Sequence, residues 1–113
     1  MDDEQALQPG CVWWVDSSVL SRTDKKPERP VIIVQGPRQG VAIVIVYGRT
    51  SDLGVEGVYT PAGTLPDLTK PGVFAPRHQQ HIHVADLRAP ACRFAGVLPE
   101  PYRTQVLSLW MEL

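Results

Sequence analysis

Val31-Ile32-Ile33-Val34-Gln35-Gly36-Pro37-Arg38-Gln39-Gly40-Val41-Ala42-Ile43-Val44-Ile45-Val46-Tyr47 is the stretch that decides the fold class. It contains two β-branched apolar runs, 31–35 and 41–47, each close to the ~5 to 6 residues of an ordinary strand. Gly36, Pro37 and Gly40 between them supply turn dihedrals, so the two runs are expected to pair as a hairpin. Apolar runs without alternation belong to strands buried on both faces.

The flanking sequence extends this pattern. Residues 11–15, Cys-Val-Trp-Trp-Val, read as a preceding strand, with Trp13 and Trp14 on opposite faces, one in the core and the other at the surface or an interface. The segment 17–30 holds Arg22, Asp24, Lys25, Lys26, Glu28 and Arg29 with almost nothing apolar, and reads as a long solvated loop of the kind that often carries function. Weaker strands are expected at 57–60, 73–75 and 80–85, the last alternating Ile82 and Val84 against His81 and His83, which puts both histidines on one face. The period then changes. Tyr102, Val106, Leu109, Trp110 and Leu113 form one stripe of a helix, with Pro101 in its first turn. The expected architecture is mainly β, a small barrel closed by a C-terminal helix.

At 113 residues the chain supports one hydrophobic core, so 1–113 is read as a single domain, with 1–8 an acidic, flexible N-terminus. Eleven Lys and Arg against twelve Asp and Glu leave a formal net charge of −1, so a polyanion must be held by a local patch rather than by the field of the whole molecule. No apolar run approaches the ~20 residues that span a bilayer. Met1-Asp2-Asp3-Glu4 is acidic where a secretory signal would be basic, which points to the cytoplasm. Cys11 and Cys92 lack any C-x-x-C spacing and read as small buried apolar residues.

The order Gly10-Cys11-Val12-Trp13-Trp14-Val15-Asp16, a basic polar loop, then Glu28-Arg29-Pro30-Val31-Ile32-Ile33-Val34 resembles the opening of the MazF/PemK (Kid) family of toxin endoribonucleases. That family has a strand of the form G-x-(I/V)-W-x-V, a flexible loop and then R-P-V-(I/L/V)-(I/V)-(V/I). An apolar strand followed by Thr50-Ser51, the later Pro71-Gly72-Val73-Phe74 and the closing helix continue the likeness over almost the whole chain, with the tight match in the first forty residues or so. The resemblance implies an SH3-like barrel that dimerises and cleaves single-stranded RNA without a metal or other cofactor. It also implies a partner, an antitoxin whose acidic C-terminal segment folds onto the toxin.

In such a reaction a ribose 2′-hydroxyl attacks the adjacent phosphate, which needs a base, an acid for the departing 5′-oxygen, and donors for the pentacovalent charge. Arg29, at a loop-to-strand junction, suits the last role and is expected to face solvent. Thr50 and Ser51 match the family's second catalytic position if Gly48-Arg49 is an insertion, and Arg49 would then be a further phosphate contact. Arg22, Lys25 and Lys26 would contact phosphates from the loop. The chain departs from the family after Phe74: where PemK-like members carry R-C-D-Q-x-R-T, it has Ala75-Pro76-Arg77-His78-Gln79-Gln80-His81-Ile82-His83 and no acidic residue. His78 is nearest the missing Asp and is the candidate for proton transfer, with Arg77, Gln79 and His81 as RNA contacts. Two other readings stand beside this one: a non-catalytic SH3-like binding module, and a metal-dependent hydrolase built on His78, His81 and His83.

Overall fold

A computed structural model describes residues 3–20, 27–48 and 56–113 of the chain. The elements are α1 (Asp3–Ala6), β1 (Cys11–Asp16), β2 (Glu28–Arg38), β3 (Val41–Gly48), β4 (Val58–Thr60), β5 (Gly72–His83), α2 (Val84–Leu87), β6 (Arg93–Val97) and α3 (Tyr102–Met111). The strands form one antiparallel sheet in the order β4-β5-β3-β2-β1-β6, curled as a half-barrel with α3 following it. The fold is therefore mainly β, as the residue pattern implies. Among the described residues no helix is long and apolar enough to cross a membrane.

The absence of alternation in the two central runs has a direct structural cause. Val31, Ile33, Val44 and Val46 enter one hydrophobic cluster, while Ile32, Val34, Ile45 and Tyr47 enter another on the opposite face. Each such side chain contributes on the order of 1.5–3 kcal/mol when fully buried, so both faces drive the sheet together. The hairpin between them is tighter than the sequence implies. β2 runs on through Gly36 and Pro37 to Arg38, leaving only Gln39 and Gly40 as the turn, with φ of 53° and 79°. Positive φ at both positions is the type I′ geometry whose twist matches the flanking strands.

The elements covering the two faces differ from expectation in several places. Residues 3–8 are docked rather than a loose tail: Ala6 and Leu7 are buried, and the Trp13 indole donates to the Ala6 carbonyl at 2.7 Å. On the other face Val106 of α3 is fully buried, and Tyr102, Leu107 and Trp110 pack beside it. Leu113 lies beyond the helix and is 72 % exposed, so the stripe is shorter than 102–113 and Leu107 substitutes for Leu109. Cys11 and Cys92 are buried free thiols, and burial pushes the Cys11 thiol up.

The segments 73–75 and 80–85, expected as two strands, are joined in β5, and Val84 and Ala85 belong to α2 instead. The ladder slips between Ile45 and Tyr47, so that Ala75, Pro76, Arg77 and His78 stand opposite Val46 alone. Pro76 has no N–H to give to the ladder, and a bulge is where a sheet tolerates it.

Candidate functional site

The register of three strands brings Arg29 to a cleft. Val15 pairs with Arg29 and Trp14 with Pro30, while Val31 pairs with Val46, so Arg29 lies level with Gly48 at the end of β3. There a cleft of about 610 Å³ is lined by Trp14, Glu28, Arg29, Tyr47, Leu68 and Lys70, among others. Arg29 is only 6 % exposed, and its Nη1 donates to the Tyr47 carbonyl at 3.3 Å. This corrects the expectation of a solvent-facing charge. Position 29 shares its strand face with the buried Val31 and Ile33, so the alternation of β2 turns its side chain inward. A guanidinium stays protonated under all ordinary conditions, which makes a partly enclosed one a fixed positive charge.

Tyr47 ties the opposite wall to the sheet. Its hydroxyl lies 2.6 Å from the Thr60 hydroxyl and donates to the Lys70 carbonyl at 3.4 Å, while its ring packs on Phe74 at 4.6 Å between centroids. Burial pushes the Tyr47 phenol up, and the hydrogen bond to Thr60 opposes that. A Cβ on Gly72 would come within 2.4 Å of the Tyr47 ring and 2.5 Å of the Gly48 carbonyl, which is why the residue there is glycine. The connection 61–71 is pinned by buried Leu65 and Leu68 and by a bond from the Gly63 N–H to the Leu68 carbonyl at 2.7 Å. Lys70 is thereby held at the rim of the cleft with its side chain exposed.

The third wall is Trp14. The Arg93 guanidinium lies 5.2 Å from the centroid of its ring and also reaches Glu28 at 2.9 Å. Glu28 is the one carboxylate among the lining residues, and Arg93 neutralises it. Among the described residues, three cations (Arg29, Lys70, Arg93) against one carboxylate make this region positive in a chain whose net charge is −1. Among the described residues the buried Trp14 indole nitrogen has no hydrogen-bond acceptor, whereas Trp13 donates to Ala6 and Trp110 donates to Gln79 at 3.1 Å. An unsatisfied buried donor costs roughly 1–3 kcal/mol.

A larger hollow of about 700 Å³ lies at the hairpin end, lined by Glu4, Gln39, His83 and Arg88 among others. It mixes charges of both signs over exposed side chains and contains no buried charge, so the Arg29 cleft is the stronger site.

Of the residues singled out from sequence, Arg22, Lys25, Lys26, Arg49, Thr50 and Ser51 lie outside the described residues. Pro27 and Gly48 are themselves described and line the cleft. His78 is half-buried in the β5 bulge, level with Val46, and Arg77 beside it is exposed. That bulge lies across β3 from β2, two strand spacings or roughly 10 Å away. Gln79 and His81 do not join Arg29: His81 pairs with Ile43, roughly 17 Å along β3 from the level of Gly48. Gln79 is engaged with Trp110 of α3.

The histidines also fail to converge. Exposure alternates from Arg77 to His83, with His78 on the half-buried side shared by Ile82 and with His81 and His83 on the exposed side. Among the described residues no group of three His, Cys, Asp or Glu side chains could hold a metal ion. The ligand set of the metal-hydrolase reading is thus not assembled.

Sequence reasoning missed Lys70 and Tyr47. The only cue for Lys70 is its place directly before Pro71-Gly72-Val73-Phe74, and Tyr47 reads as the end of an apolar run. Compared with models of protein families and with curated proteins, the chain matches none.

Proposed function

We propose that the protein is a metal-independent endoribonuclease acting on single-stranded RNA at the Arg29 cleft, the toxin of a type II toxin–antitoxin pair, working as a homodimer in the cytoplasm. The observation that carries this reading is Arg29, a buried cation at a positive cleft that Trp14 and Lys70 also line. Aromatic surface and fixed cations together are what single-stranded nucleic acid requires.

In the proposed reaction the 2′-oxygen forms a bond to phosphorus as its proton passes to a base, and the bond to the 5′-oxygen breaks as that oxygen takes up a proton. Arg29 stabilises the charge that builds on the non-bridging phosphate oxygens. His78 is assigned to proton transfer, with Arg77 beside it as a further charge. Thr50 and Ser51 would offer hydroxyls to the phosphate, and Arg22, Lys25, Lys26 and Arg49 would hold the flanking strand. Exposed Tyr59, Met111 and Leu113 offer apolar surface to a second copy. The acidic tail of an antitoxin would compete with RNA for the same positive cleft.

One observation favours a second reading, the non-catalytic binding module. Arg29 already donates to the Tyr47 carbonyl and therefore has a structural role available to it. Incubating the purified protein with a long single-stranded RNA in EDTA, and separately with added zinc, separates the readings. Cleavage in EDTA is expected. Cleavage only with zinc, or none under either condition, would overturn the proposal.

A further inference from the structure

We infer that Lys70 is the second phosphate-binding cation of the Arg29 cleft, and that the Trp14 indole N–H is the donor that a bound RNA phosphate comes to satisfy. The inference rests on the reading of the cleft as an RNA site and assigns it two residues that the sequence resemblance does not.

Three observations converge on it. Lys70 lies on the cleft rim, exposed, and has no ion-pair partner among the described residues. Its carbonyl lies 3.4 Å from the Tyr47 hydroxyl, at the end of a connection anchored by buried Leu65 and Leu68, so the side chain departs from a packed stretch of chain at the cleft. Of the indole nitrogens of the three tryptophans, only that of Trp14 is buried without an acceptor among the described residues, and Trp14 is the one that lines this cleft.

A single anion would be held by Arg29 alone. A cation on each wall suits a chain of phosphates, because one phosphodiester can lie at the buried guanidinium while the next meets the ammonium. Half-buried Trp14 and exposed Pro71 add apolar surface that a base can cover and that an acidic side chain has no use for. This favours an oligonucleotide over an acidic polypeptide as the ligand of the pair. The indole N–H is shielded in the free protein, so engaging it requires the side chains around it to shift as the strand enters.

The test uses the full chain labelled with nitrogen-15. Its three indole cross-peaks can be assigned from contacts of Trp13 with Ala6, Trp110 with Gln79 and Trp14 with Arg93. The probe is a single-stranded 2′-O-methyl oligonucleotide, which cannot be cleaved by its own 2′-oxygen. The Trp14 peak should move on titration while the other two stay. Lys70→Ala should weaken binding about 5- to 10-fold and reduce the slope of log K against log salt by about 0.7, and Lys70→Arg should recover most of both. A stationary Trp14 peak during saturable binding, or an unchanged affinity and slope in Lys70→Ala, overturns the inference while leaving RNA binding intact. Failure of the wild-type protein to bind the oligonucleotide overturns both the inference and the RNA reading. A polyglutamate peptide that moves the Trp14 peak as strongly at equal salt would assign the pair to an acidic polypeptide and so overturn it as well.

Discussion

At the Gly48 end of the sheet, Trp14, Arg29, Tyr47 and Lys70 come from four separate stretches of sequence and meet around one cleft. Toward the Val41 end, His81 and His83 are two residues apart in sequence and stand exposed on β5, paired only through their backbones with Ile43 and Val41. The first group is set by pairing register and by the Tyr47 hydroxyl that ties 70 to the sheet, the second by strand alternation alone. Closeness in sequence along a strand places side chains on one face. It does not make them converge, and convergence is what chemistry needs.

The sharpest way to test that contrast lies between the two ends, at His78. It shares the histidine-rich run with His81 but sits in the bulge nearest Arg29. Replacing it with Ala should slow single-turnover cleavage by on the order of 10²-fold and flatten one limb of the pH–rate profile, as the loss of a proton-transfer group does. An unchanged profile would move proton transfer away from His78, and the β5 histidines would then be strand surface throughout.

A smaller effect should come from Gly72→Ala at the cleft end. The added Cβ would meet the Tyr47 ring and the Gly48 carbonyl, and backbone cannot give way cheaply. A loss of roughly 1–3 kcal/mol in denaturant unfolding is expected, together with weaker RNA binding because the 61–71 connection loses its anchor. The matching change at the other end, Gly40→Asn in the exposed hairpin turn, meets no neighbouring atom and keeps a residue type that tolerates positive φ, so it should cost far less.

The smallest effect belongs to Glu100, which lies in neither region. Its carboxylate accepts from the Thr104 N–H at 2.8 Å and from the Thr104 hydroxyl, and these bonds hold it below its usual range. A carboxyl depressed in the folded state stabilises the fold above its unfolded pKa, and that contribution disappears as pH falls through the folded value. Glu100→Ala should therefore lower the thermal midpoint slightly at neutral pH and not at all in strong acid. An equal loss at both would assign the effect to helix geometry instead of charge.

Much of the fold is legible in the sequence because it is written in local pattern. The unbroken runs 31–35 and 41–47 announce a sheet buried on both faces, and the spacing of Tyr102, Val106 and Trp110 announces the closing helix. Where pattern is ambiguous, tertiary pairing decides. Gly36 and Pro37 read as turn residues, yet two register shifts absorb them into β2. The gap between 75 and 80 reads as a break, yet β5 bridges it with a bulge.

The site is less legible for the same reason. Arg29 stands out from the resemblance, but its burial follows from which face of β2 it occupies, and that depends on the pairing of Val15 with Arg29. Lys70 has little local signature beyond its place before Pro71-Gly72-Val73-Phe74, because the packing of Leu65 and Leu68 and the bonds of the 61–71 connection bring it to the cleft.

The claim that chemistry resides at the cleft end is tested most directly by single-turnover cleavage of a single-stranded RNA in EDTA. The comparison is between Arg29→Lys and a double variant, His81→Ala with His83→Ala, each checked for an unchanged thermal transition. Lysine keeps the positive charge of the buried position but loses the paired N–H geometry, so the rate should fall by about 10²- to 10³-fold. The double variant should cleave within about 2-fold of the wild type, since surface changes away from a site are close to neutral. Wild-type cleavage by Arg29→Lys, or its loss in the double histidine variant, would contradict the account.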